Sequence, residues 1–142
     1  MFENYKLHHV GIVLPTIEEA ESFMTTMGLK EDFRGFVVRW SVWCIFAHSL
    51  NDSKIELVVP EGGKLARFNK GLAGVHHFAF EVENILEATR WAENHGMMMI
   101  EPEAIKGAGN FICNFLTPSS TRGIQIEFVQ LIDYPSDQTS PR

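Results

Sequence analysis

Two histidine pairs and two glutamates are the residues of this sequence best suited to chemistry. The pairs are His8–His9 in LHHVGIV and His76–His77 in GVHHFAFEV; the glutamates are Glu56 in KIELVV and Glu127 in QIEFVQ. His9 precedes Glu56 by 47 residues, and His77 precedes Glu127 by 50. A lone histidine in a strand is most often a satisfied core residue. The same His-then-Glu spacing occurring twice is different, because two halves could each contribute one imidazole and one carboxylate to a shared centre. Imidazole and carboxylate together suit one borderline divalent ion: Zn, Co, Ni, Mn or Fe. Two carboxylates buried side by side are costly unless a cation neutralises them. The spacing therefore points to a metal site built from His9, Glu56, His77 and Glu127.

The elements that must position these residues are themselves repeated. With an offset of 68 residues, HHVGIVLPTIEEAESFMTTMGLK lies over HHFAFEVENILEATRWAENHGMM. His8/His76, His9/His77, Ile17/Ile85, Glu19/Glu87, Ala20/Ala88 and Gly28/Gly96 are identities. Each copy opens with a strand and continues with a capping residue three places before a glutamate, Thr16 with Glu19 and Asn84 with Glu87, which predicts a helix start. Ile17, Ala20, Phe23, Met24 and Met27 recur at helical spacing, as do Ile85, Ala88, Trp91, Ala92 and His95. Gly28 and Gly96 fall where the helices must stop.

The second half of each copy reads as strands. FVVRWSVWCIFAHSL holds two strands without a clear turn, and SKIELVVP a third. In the second copy the strands are MMMIEPE, NFICNFLTP and GIQIEFVQLI. The expected fold is α+β: two βαβββ modules, residues 1–60 and 75–131. Residues 61–74 form the linker, with one helical turn around Leu65–Phe68, and 132–142 a flexible tail. The length suits one domain or two small fused modules. Residues two apart in a strand share a face. His9 with Gly11, and His77 with Ala79, should face away from the helices. His8, with Val10 and Ile12, and His76, with Phe78 and Phe80, share the apolar face that should pack on the helices; as neighbours of the ligands they read as supporting or interface residues rather than ligands. Glu56 and Glu127 stand opposite Ile55/Leu57 and Ile126/Phe128, and so on the non-helix face. His48 and His95 read as loop or helix-end residues without a role.

Bulk properties narrow the function classes. The chain has 142 residues, enough to bury a substantial core, with a hydrophobic fraction of 45% that includes 11 Phe and 3 Trp. A net charge of −6 without a run of Lys or Arg argues against nucleic acid or an anionic membrane as partner. A small-molecule substrate is the expected partner. Cys44 and Cys113 lie in apolar runs and read as reduced core thiols. No apolar run approaches the roughly 20 residues of a membrane span, and MFENYKLHH has no signal-peptide character, so a cytoplasmic protein is expected.

HHVGIVLPTIEEAESFM, KIELVVPEGGKLARFNKGLAGVHHFAFEVENILEA and KGAGNFICNFLTPSSTRGIQIEFVQ together resemble the vicinal oxygen chelate (glyoxalase/bleomycin resistance/dioxygenase) superfamily, most nearly its methylmalonyl-CoA epimerase-like members. The resemblance spans about residues 7–131, and it implies that the two modules make a single domain whose curved mixed sheet surrounds a metal-floored cleft. It implies that His9, Glu56, His77 and Glu127 hold a metal, that substrate oxygens chelate it, and that an enediolate-like intermediate is stabilised. It implies a metal-dependent isomerase, epimerase or lyase that abstracts a proton next to a carbonyl of an acyl-CoA or of a 2-oxo or 2-hydroxy acid. Glu127 is the first choice of general base and Glu56 the second. A homodimer is expected for a member of this size. Some epimerases of this type carry an extra acid on the third strand; VVRWSVWCIF here has none. Arg39 and Trp43 in that stretch are candidate substrate contacts, Arg39 as a carboxylate anchor. Lys106 and Asn110, in the Gly-rich IKGAGN loop, are candidates for an anionic ligand. Two alternatives stand beside this reading. A non-haem iron dioxygenase would use His9, His77 and Glu127 as a facial triad, and a drug-sequestering protein would bind without metal.

Overall fold

The structure is a computed structural model and describes residues 5–49 and 54–132. The expectation of a flexible tail therefore falls almost wholly outside the described residues. Among the described residues, eight strands and two α-helices follow in the order β1 (Lys6–Val13), α1 (Ile17–Met27), β2 (Lys30–Val37), β3 (Val42–His48), β4 (Lys54–Pro60), β5 (Gly74–Glu81), α2 (Ile85–Asn94), β6 (Ile105–Lys106), β7 (Phe111–Phe115) and β8 (Ile126–Leu131). All strands belong to one mixed sheet ordered β2-β3-β4-β1-β5-β8-β7-β6. In each half the first strand runs parallel to the last, β1 with β4 and β5 with β8, which requires the crossover that α1 or α2 supplies. The halves join through the antiparallel pair β1–β5. The sheet curls so far that its two ends meet. Trp40 packs edge-on against Phe115, and a Cβ added to Gly35 would lie 2.9 Å from the carbonyl oxygen of Ala108.

Helix ends follow the sequence signals. Thr16 Oγ1 accepts the Glu19 N–H at 3.1 Å, and Asn84 Oδ1 accepts those of Leu86 and Glu87. Gly28 stops α1 in the left-handed conformation, at φ 68°. Strand alternation sorts the apolar residues into three cores. Ile45, Ala47, Leu57 and Val59 pack under α1 with Ala20 and Met24. Phe128 and Leu116 pack under α2 with Ile85, Ala88 and Ala92. The third core lines the inside of the curl and contains Val13, Cys44, Phe46, Val58, Ala79, Phe111, Cys113 and Val129. Cys44 and Cys113 are buried free thiols, as expected.

Three expectations are corrected. β2 begins at Lys30, earlier than the apolar run suggests, because KEDFRG is a charged strand at the sheet edge. MMMIEPE is not a strand: only the bridge Met99–Leu116 forms. The Asn114 side chain takes the place of a strand partner there, accepting the Glu101 N–H at 3.1 Å and donating to the Glu101 carbonyl at 2.9 Å. Pro102 follows immediately and has no N–H to offer a ladder. Finally, His8 and His76 do not face the helices. Leu7 pairs with Phe80 and His9 with Ala79, so His8 is an extra residue; Gly11 pairs with His77 and Ile12 with Val75, so His76 is another. These paired β-bulges turn both side chains toward the inside of the curl. Among the described residues no helix is long and apolar enough to cross a membrane.

Candidate metal centre

Sheet register brings the four sequence-selected ligands together in two symmetry-related rows. One row runs Phe46 (β3), Glu56 (β4), Gly11 (β1), His77 (β5). The other runs Phe115 (β7), Glu127 (β8), Ala79 (β5), His9 (β1). Each row reads aromatic, carboxylate, small residue, imidazole. The small residue is required, because the side chains on either side lean across it. A Cβ added to Gly11 would lie 2.1 Å from Cε1 of His77. The aromatics wall the centre from opposite sides, with Phe46 edge-on to His9 (ring centroids 5.1 Å) and Phe115 edge-on to His77 (5.0 Å).

All four ligand candidates are buried. His9 Nε2 lies 3.4 Å from Glu56 Oε1 and 3.2 Å from Glu127 Oε1; His77 Nε2 lies 3.2 Å from both oxygens. The two Nε2 atoms are 3.1 Å apart. An ion–ligand bond of about 2.1 Å places neighbouring ligand atoms about 3.0 Å apart in octahedral and about 3.4 Å apart in tetrahedral geometry. The observed separations span that interval. Glu127 Oε1 is fully buried and, despite its two imidazole neighbours, is aligned with neither for a hydrogen bond. An orphaned buried carboxylate oxygen facing two converging nitrogens is a donor set that a divalent cation satisfies. The residues fit a metal ion, and this His/Glu group can hold one.

Without a cation the four groups must neutralise one another. Burial alone would lower the histidine values, but the charge of Glu56 and the close approach of both carboxylates raise His9 to about 9. His77 rises to about 10 for the same reason, the close approach of Glu127 leading. Burial pushes Glu56 and Glu127 up, but the two imidazoliums outweigh it and hold both below the usual carboxylate range. Burial pushes the thiols of Cys44 and Cys113 far up, helped by Glu56 and Glu127 beside them, so they stay protonated.

The remaining sequence candidates are not gathered with the four ligands. Arg39 donates from Nε at 3.1 Å and Nη2 at 2.7 Å to Glu101 Oε1, and Trp40 donates to Oε2 of the same carboxylate at 3.3 Å. Trp43 lies on the α1 side of β3 and donates to Glu61 at 3.1 Å. Lys106 folds back onto the carbonyls of Gly107 and Gly109. Asn110 is exposed in the loop before β7. Sequence reasoning missed Glu101, which is buried yet sits in an irregular segment, and the aromatic walls Phe46 and Phe115. The walls carried a signal, since each lies on the strand before its glutamate's strand and shares the cleft-facing parity.

Residues 8–115 match the family profile of the Glyoxalase/Bleomycin resistance protein/Dioxygenase superfamily. The chain is 31% identical over 134 residues to the ethylmalonyl-CoA/methylmalonyl-CoA epimerase of Cereibacter sphaeroides, covering 89% of this chain and 98% of that protein. It is 30% identical to the mitochondrial methylmalonyl-CoA epimerase of Dictyostelium discoideum, covering 86% of this chain and 76% of that one. The fold matches the crystal structure of methylmalonyl-CoA epimerase from Mycobacterium tuberculosis, with a TM-score of 0.83 at 22% identity, over 94% of this chain and 91% of that one. The repeated modules, the curled sheet and these relatives agree: the chain belongs to the glyoxalase/bleomycin resistance/dioxygenase superfamily, and it is an enzyme of the isomerase kind.

Proposed function

We propose that this chain is a metal-dependent epimerase that exchanges the hydrogen on the carbon next to the thioester carbonyl of a 2-substituted malonyl-CoA. The observation that carries this reading is the convergence of two buried carboxylates and two imidazoles whose ligand atoms all lie within 4.8 Å of one another. Its substrate class follows the epimerase relatives. His9, Glu56, His77 and Glu127 would hold the ion, which supplies a Lewis acid beside the substrate carbonyl. The chain's own residues do the rest. Glu127, whose Oε1 lacks a hydrogen bond, takes the proton as general base. Glu56 occupies the symmetry-related position in the other row. It is the second choice of base. Phe46 and Phe115 exclude water from the carbanionic carbon. Lys106, at the end of β6, and Asn110, on the loop between β6 and β7, meet the anionic part of the substrate. The protein works as a homodimer; sedimentation should show a species of twice the 16.1 kDa chain mass, and a lone 16.1 kDa species at micromolar concentration would refute this.

The test uses methylmalonyl-CoA in deuterated water with the metal-loaded protein. Deuterium should enter at the carbon beside the thioester, and Glu127→Gln should slow its entry by about two orders of magnitude or more with metal still bound. Metal content is measured in the same sample, because a lost ion would mimic a lost base. No exchange across a panel of acyl-CoA and 2-oxo acid compounds, together with oxygen uptake in the presence of a catechol, would replace this reading by the dioxygenase one. The same inactivity in a protein that takes up no metal would favour a binding protein.

A further inference from the structure

The double histidines hold a feature the ligand set does not use. His8 Nδ1 lies 2.7 Å from His9 Nδ1, and His76 Nδ1 lies 2.8 Å from His77 Nδ1. Side chains of consecutive strand residues normally point to opposite faces and cannot meet this way. The two bulges make it possible, by inserting His8 against the Leu7–Phe80 and His9–Ala79 pairs and His76 against the Gly11–His77 and Ile12–Val75 pairs. The arrangement occurs once per module, on different strands, around the same pseudo-twofold axis as the ligands. Each outer ring is seated on the aromatic lining: His8 beside Phe111 (5.8 Å) and Phe46 (6.3 Å), His76 beside Phe68 (4.9 Å) and Phe115 (6.3 Å). Gln125 further ties the His76 backbone by donating to its carbonyl at 2.9 Å.

We propose that His8 and His76 are positioning residues that set the tautomer and ring angle of the metal ligands His9 and His77. This inference rests on the metal reading above. Two Nδ1 atoms within 2.8 Å must be one donor and one acceptor. A neutral imidazole carries one proton, and a ring that gives its Nε2 lone pair to an ion carries that proton on Nδ1. The Nδ1–H of His9 therefore donates to Nδ1 of His8, and that of His77 donates to Nδ1 of His76. Each outer histidine acts as the hydrogen-bond acceptor that metal-bound histidines commonly find in a carboxylate or a carbonyl.

The test compares Zn(II) affinity, by chelator competition, in the wild type and in variants of the full chain. His8→Leu and His76→Leu remove the acceptor and should each weaken Zn(II) binding about 10–100-fold. His8→Asn and His76→Asn place an amide oxygen near the lost Nδ1 and should recover most of that loss. In the Zn-loaded wild type, nitrogen NMR of the rings should show His9 and His77 protonated at Nδ1. Leucine variants that bind Zn(II) within threefold of the wild type, or rings protonated at Nε2, would overturn the proposal. The NMR arm needs no variant, so a leucine variant that fails to fold does not protect the idea. If the wild type takes up no Zn(II), the metal reading fails along with it; insensitivity in a wild type that does bind refutes the positioning role alone.

Discussion

Gly11→Ala is the sharpest perturbation of the centre, because it adds one methyl group and no charge. The new Cβ would lie 2.1, 2.4 and 2.6 Å from Cε1, Nδ1 and Nε2 of His77. Reaching ordinary contact at 3.4 Å requires the ring to retreat by about 1.3 Å. Metal ligation tolerates about 0.2 Å. The ring has little room to retreat, since Phe115, His9 and His76 stand around it at centroid distances of 5.0, 5.2 and 5.1 Å. The expected result is loss of His77 as a ligand. Zn(II) affinity should fall by more than the about 10–100-fold that removing an outer partner costs. Overpacking should cost about 1–3 kcal/mol of stability. Chelator competition measures the first and denaturant unfolding of the metal-free protein the second. Gly35→Ala is the control: it meets the Ala108 carbonyl at 2.9 Å, away from the ligands, and should lower stability while leaving affinity unchanged. Gly11→Ala protein that folds and binds Zn(II) as tightly as the wild type would refute the claim that Gly11 holds the space for His77.

Further outcomes follow from charge. His9 and His77 titrate above their ordinary 6.5 in the metal-free protein, so their contribution to stability is complete below pH 6.5 and is lost as pH rises through about 9 to 10. Glu56 and Glu127 titrate below 4.5, so theirs is complete above pH 4.5 and is lost on further acidification. Chelator-treated protein should thus be most resistant to denaturant between about pH 4.5 and 6.5; a midpoint that rises from pH 6.5 to 10 would contradict the charge assignment. Metal uptake should release about two protons per ion at pH 7, measured by calorimetry in buffers of different ionisation enthalpy. Glu101→Gln removes the charge that holds Arg39 while leaving the Asn114 bracket on the backbone intact, so amide exchange at Val38–Ser41 should quicken with metal affinity unchanged.

The four ligands, both helices and their caps were legible in the sequence because each rests on local periodicity or on a repeat. Strand parity alone assigned His9, Glu56, His77 and Glu127 to one face, and residues repeated at an offset of 68 revealed the twofold construction. The small residues beside the ligands were legible too, since Gly11 and Ala79 lie two positions from a histidine. Tertiary structure decided what parity could not express. A bulge shifts the pattern by one residue, and nothing in LHH or VHH says that His8 and His76 are the inserted ones; the pairing of β1 with β5 does. The polar edge strand β2 lacked an apolar signature, and MMMIEPE had the composition of a strand but lost its place to the Asn114 side chain. Arg39 and Glu101 stand 62 positions apart and meet because the sheet curls until its ends touch. Periodicity along the chain determines which face a side chain takes; distances across the chain depend on how far the sheet bends, and that is set by packing between residues remote in sequence.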